Sequence, residues 1–158
     1  EYTGTFVIGA TTESIDLEKP VIPVSDPSSI SLSQVQEAAA KLTGNILQVP
    51  PMHSAIKVDG KRVYESARAG KEVKMEPRPV EVREFEITRF EGDEIDFRIS
   101  CSKGTYIRSL ARDMGEILGV GAYLKKLCRT RIGSYRLEEA RELLSLVEEI
   151  KNRPHENL

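Results

Sequence analysis

The sequence has little of what most catalytic and transport motifs require. Its 158 residues hold two cysteines, Cys101 and Cys128, and two histidines, His53 and His155. Two cysteines cannot build a disulfide framework, and no Cys/His spacing matches a zinc site, so no metal or cofactor is expected from these residues. That usage points to a reducing, cytoplasmic setting. No apolar run approaches the roughly 20 residues that cross a bilayer, so no membrane partner is expected. No basic stretch leads into an apolar core as in a secretory leader. Phosphate-loop and dinucleotide fingerprints are missing. With so few histidines, a hydroxyl or thiol nucleophile has hardly a base to activate it. No spacing singles out a carboxylate pair for acid/base work.

What is present is the composition of a globular domain, 39% hydrophobic and 30% charged, on a chain long enough to bury a core. The formal net charge of −2 conceals a segregation. Residues 1–50 carry −4, 51–78 carry +3, 79–102 carry −4 and 103–158 carry +3. The two basic segments are either solvated surface or the halves of one positive face for a polyanion.

Hydrophobic periodicity predicts the elements. Residues 2–10 alternate as a strand. Residues 11–30, rich in Ser, Thr, Asp and Pro, read as a loop. Ser31 and Gln34 make a capping box for a helix carrying Leu32, Val35, Ala39 and Leu42, with Gly44 as its C′ residue. Pro50 and Pro51 hold 46–53 extended. Asp59-Gly60 between two short runs predicts a hairpin, followed by a helix over 64–69 ending at Gly70. Residues 79–90 and 94–101 read as an antiparallel pair. A helix over 105–118 is stopped by Gly119. Residues 121–127 read as a further short helix, 131–137 as a strand and 138–150 as a final amphipathic helix. Together these predict an α+β fold: a mixed, mainly antiparallel sheet with flanking helices.

Two segments suggest function. In residues 50–73 (PPMHSAIKVDGKRVYESARAGKEV), Lys57, Lys61, Arg62, Arg68 and Lys71 surround Tyr64. Cations interleaved with an aromatic suit phosphate contacts plus stacking on an unpaired base, though an ordinary solvent-facing hairpin carries the same residues. In residues 101–133, Lys103 and Gly104 precede a helix N-terminus, a natural anion site. Arg108 falls in its first turn, where the helix dipole disfavours a cation. Arg108 therefore faces either a carboxylate or a phosphate, or swings away to the surface.

These two segments, with Tyr2 and Gly9-Ala10-Thr11-Thr12, resemble the bacterial tRNA pseudouridine synthase B family over nearly the whole chain. The resemblance implies a pseudouridine synthase-like fold in which 50–77 is a thumb insertion that grips RNA. It implies an isomerase that converts the T-loop uridine of tRNA to pseudouridine by base flipping, with no cofactor. Tyr2, Tyr106 and Leu127 match residues around the target uridine, and Arg108 matches the partner of the catalytic aspartate. Lys57, Lys61, Arg62, Tyr64, Arg68 and Lys103 fall where the family contacts RNA. The aspartate motif, near Gly-His-Thr-Gly-Thr-Leu-Asp-Pro, is absent, and no aspartate present stands in such a context. The expectation is therefore a fragment: 1–150 as the central and C-terminal part of a catalytic domain, and 151–158 as a tail towards a C-terminal RNA-binding domain. The expected partners are the T-arm of tRNA and the N-terminal part of the same protein. A non-catalytic RNA-binding module of the same fold is the alternative.

Overall fold

The structure is a computed structural model, described for residues 1–54, 57–58, 60–69 and 75–153. Strand β1 (Tyr2–Ile8) leads into a short pair, β2 (Ala10–Thr11) with β3 (Ile22–Pro23), inside what the sequence presents as loop. Helix α1 (Leu32–Lys41) begins at the predicted capping box: the Gln34 N–H donates to Ser31 Oγ at 3.2 Å, and the Ser31 N–H donates to Gln34 Oε1 at 2.8 Å. Its C-cap is Leu42, so Gly44, expected as the C′ residue, stands one residue beyond that position and opens strand β4 (Gly44–Gln48). Strands β5 (Lys57–Val58) and β6 (Lys61–Arg62) form the expected hairpin and run into helix α2 (Val63–Arg68). Gly60 has φ +77°, as such a turn requires; Asp59, Gly70 and Lys71 lie outside the described residues.

Strands β7 (Arg78–Glu91) and β8 (Glu94–Cys101) pair as the alternation predicts. Helix α3 (Ile107–Leu118) follows, capped by Gly119 at φ +75°. Residues 121–127, expected as a helix, are instead strand β9 (Ala122–Arg129), which runs antiparallel to β1. Gly119 and Gly121, both at positive φ, turn the chain back onto the sheet. At Gly115 a Cβ would stand 2.9 Å from the Ala122 Cβ, so glycine lets the strand cross close over the helix. The 131–137 strand is a hairpin, β10 (Arg131–Ile132) with β11 (Tyr135–Arg136). The expected last helix is divided into a 3₁₀ turn (Leu137–Glu139) and α4 (Leu143–Lys151).

The main sheet runs β4-β7-β8-β1-β9, antiparallel throughout. A register shift at Thr5/Phe6 leaves Thr5 through Ile8 all buried. Helices α1 and α3 pack together, α1 on β7 and α3 on β9. The core between them holds Phe6, Phe97, Ile95, Ile99, Val35, Leu110 and Met114. Phe6 and Phe97 stack with ring centres 4.3 Å apart. Burying each such side chain contributes about 1.5–3 kcal/mol. Gly4 sits opposite Phe97 and Leu127, and any Cβ there would meet the Lys126 carbonyl and stand 2.7 Å from Phe97 Cζ. Among the described residues, no helix is long and apolar enough to cross a membrane.

Candidate functional site

The start of α3 is built from several directions. Tyr106 is its N-cap residue, and its backbone is clamped by the buried Gln48 at the end of β4. The Tyr106 N–H donates to Gln48 Oε1 at 2.8 Å, and Gln48 Nε2 donates to the Tyr106 carbonyl at 3.1 Å. The residue after Gln48 is held by α3 as well. Ser109 Oγ and Arg112 Nη2 each donate to the Val49 carbonyl at 2.8 Å. The two prolines remove the N–H groups that such a segment would otherwise have to satisfy. Gln48, Ser109 and Arg112 carry no signal in the sequence as site residues, because their partners are 58 to 63 residues away.

In the first turn of the helix, Arg108 spans two loops. Its Nη1 donates to the Ser14 carbonyl at 3.2 Å and its Nη2 to the His53 carbonyl at 2.5 Å. Among the described residues, the nearest carboxylate oxygen is Asp16 Oδ2, at 4.0 Å. That carboxylate is itself engaged in its own turn, accepting from Ser14 Oγ at 2.5 Å and the Glu18 N–H at 3.0 Å. Asp113, also on α3, has its carboxyl pushed up by burial, against the lowering effect of Arg112. A cavity of about 440 Å³ opens beside Arg108, lined by Glu18, His53, Ser54, Tyr64, Arg68 and Tyr106. The two basic segments therefore meet here, Arg68 coming from the first and Arg108 from the second.

Helix α2 is anchored on the same wall. The Tyr64 N–H donates to the Ser54 carbonyl at 2.8 Å. Arg68 lies over the Tyr64 ring, 5.2 Å from its centre, and reaches Glu18 at 3.4 Å. Arg62 Nη1 donates to Tyr64 Oη at 3.4 Å. The side chains of Lys57 and Lys61 are outside the description, although their strands are defined.

The residues expected around one uridine do not line one cavity. Tyr106 lines the Arg108 cavity. Tyr2 lines a second of about 550 Å³, with Lys103, Gly104, Arg83 and Arg129. Leu127, half-exposed on β9, lines a third of about 430 Å³. Tyr2 is fixed by Arg129, whose Nε donates to Tyr2 Oη at 3.2 Å and whose guanidinium lies 5.4 Å from the ring centre. Among the described residues, no three His, Cys, Asp or Glu side chains gather as a metal cluster.

The same fold occurs in the crystal structure of a Cbf5–Nop10–Gar1 complex. The match covers 93% of this chain and 34% of the other, with a TM-score of 0.65 at 26% identity. The sequence narrows this to a family. Residues 1–107 match the family model described as TruB family pseudouridylate synthase, N-terminal domain, and 108–157 match the one described as tRNA pseudouridylate synthase B C-terminal domain. The chain belongs to the TruB family of pseudouridylate synthases. The boundary between the two matches falls inside α3, one residue after its start. A curated relative from Flavobacterium johnsoniae, named tRNA pseudouridine synthase B, is 47% identical over 96% of this chain and 66% of its own length. One from Aromatoleum aromaticum with the same name is 46% identical, over 92% of this chain and 47% of its own. The chain thus spans about half to two thirds of the length of these relatives.

Proposed function

We propose that this chain is part of a tRNA pseudouridine synthase that acts in the cytoplasm, binds the T-arm of tRNA and, as the whole protein, isomerises a flipped T-loop uridine. The observation that carries this is the Arg108 cavity, where Arg108 and Tyr106 from the start of α3 face Tyr64 and Arg68 from the proposed thumb. Flipping a base costs a few kcal/mol of stacking, and an aromatic platform offsets it. Tyr106 and Tyr2 supply such platforms, and Leu127 an apolar contact. Arg108, held by two carbonyls, keeps its guanidinium fixed beside a carboxylate that detaches uracil from its ribose before the base rotates and rejoins through carbon. A fixed cation there keeps a neighbouring aspartate ionised. The relatives' shared name, at 45–47% identity, supports the reaction. In this reading 1–150 belongs to the catalytic domain, with 50–77 as the thumb, and 151–158 is a tail.

None of the six aspartates in these 158 residues lies in a Gly-Thr-Leu-Asp-Pro-like context, and Asp16 is committed to its turn. The 158-residue chain by itself is therefore expected to bind a T-arm stem-loop without forming pseudouridine. Activity is expected once a segment bearing that motif is fused ahead of Glu1, as read by quantifying pseudouridine in the RNA. Turnover by the 158 residues alone would overturn the assignment of the nucleophile. Binding without turnover in the fused protein would leave an RNA-binding module.

A further inference from the structure

The cavity beside Tyr2 is distinct from that beside Arg108. Among the described residues the two share no lining residue, and the 102–106 segment contributes to both, with Lys103 and Gly104 in one and Tyr106 in the other. We propose that Arg129, Lys103 and Arg83 form a phosphodiester-binding cleft beside Tyr2, which takes the RNA backbone next to the modified nucleotide. This rests on the RNA-modifying reading above and adds to it a site for the strand rather than the base.

Charge is the first ground. Glu1 also lines the cleft, but its carboxylate is occupied by Thr130 Oγ1 at 2.9 Å and Arg98 Nη1 at 3.1 Å. Arg83 has Glu81 at 3.3 Å. Among the described residues, Lys103 and Arg129 have no carboxylate partner, so the cleft is left with a net positive charge. Geometry is the second. Arg129 directs its Nε to Tyr2, and its two Nη groups make no hydrogen bond among the described residues. A planar guanidinium with its outer donors free matches two phosphate oxygens. An aromatic ring flanked by cations is the arrangement that holds single-stranded nucleic acid, the ring taking a base and the cations the backbone. The same arginine thus orients the ring and offers the anion site, coupling the two contacts.

The experiment is binding of a T-arm stem-loop RNA to the 158-residue chain across a salt series. Wild type, Lys103→Gln, Arg129→Gln, Arg129→Lys and Arg89→Gln are compared, with circular dichroism melts of each. Removing one phosphate contact lowers the slope of log K against log salt by about 0.7 for single-stranded RNA. Lys103→Gln and Arg129→Gln are each expected to lose about that much slope and to bind more weakly at low salt. Arg129→Lys keeps the slope, and Arg89→Gln, in a separate ion-pair network, changes neither quantity. Lys103 is exposed on a turn, so its variant carries the test if Arg129→Gln unfolds. If wild type binds and both Gln variants keep its slope, the cleft is refuted and the RNA reading stands. If wild type binds no RNA even at low salt, both are refuted.

Discussion

Arg108 occupies a place where the helix dipole opposes a cation, and two carbonyls compensate. Its fork bridges Ser14 and His53, residues on segments 39 positions apart in the chain, so the side chain fixes two loops as well as a charge. The dipole argument, made on sequence alone, singles out the arginine but expects an anion or open surface around it. It cannot find the carbonyls, because a backbone acceptor leaves no mark in a residue pattern. Hydrogen bonds to charged groups contribute about 1.5–3 kcal/mol each, and a lysine can keep the charge but not both bonds. In a catalytically complete form of the protein, Arg108→Lys is expected to lower kcat by about tenfold or more, the loss of one such bond, and to leave RNA affinity nearly unchanged. Single-turnover kinetics alongside equilibrium binding would check this, and equal losses in both would make Arg108 a phosphate contact instead.

Elements were legible where their pattern is local. The capping box of α1, the β7–β8 alternation and the apolar stripe of α3 are all written within a few residues of one another. Strand β9 was not, because its conformation is imposed by pairing with β1, more than 110 residues earlier. The sheet also carries an ionic network that no local pattern announces. Arg98 joins Glu1, Glu84 and Glu86, and Arg89 joins Glu91, Glu94 and Asp96. Arg89 holds the Asp96 carboxyl below its usual 3.8, aided by Thr5. Lys125, then Arg89, hold Glu94 below 4.5. Thr130 and Arg98 do the same for Glu1. Carboxylates with lowered values in the folded state stabilise it above their unfolded values and lose that contribution as pH falls through the folded ones. Stability should therefore drop on acidification below about pH 4.5. Arg89→Met should flatten that drop, as thermal melts between neutral pH and about pH 3 would record. Identical pH profiles for the two proteins would exclude the network as the cause. Asp113, raised by burial, works in the opposite sense.

At the scale of the whole molecule, stability is concentrated in the sheet and the two helices on it. Leu110 is fully buried at 0% exposure, whereas Leu144 on α4 is 79% exposed, and α4 has no buried residue. Leu110→Ala is expected to cost about 2–5 kcal/mol, and Leu144→Ala no more than about 0.5 kcal/mol. Denaturant titration of the 158-residue chain would measure both. A large loss at Leu144 would mean that the apolar face of α4 is covered in solution. The family resemblance was legible from two long motifs. The distribution of Tyr2, Tyr106 and Leu127 over three cavities was not, since it depends on how β1, β9 and the 102–106 segment come together in space.

Gln48 joins the edge of the sheet to the start of α3 with a pair of hydrogen bonds that imitates strand pairing without a strand. The Tyr106 amide proton is locked in that ring, so it meets water only when β4 and the helix start come apart. Deuterium uptake at this one amide therefore works as a clock for the parting of β4 from the start of α3, running independently of any turnover.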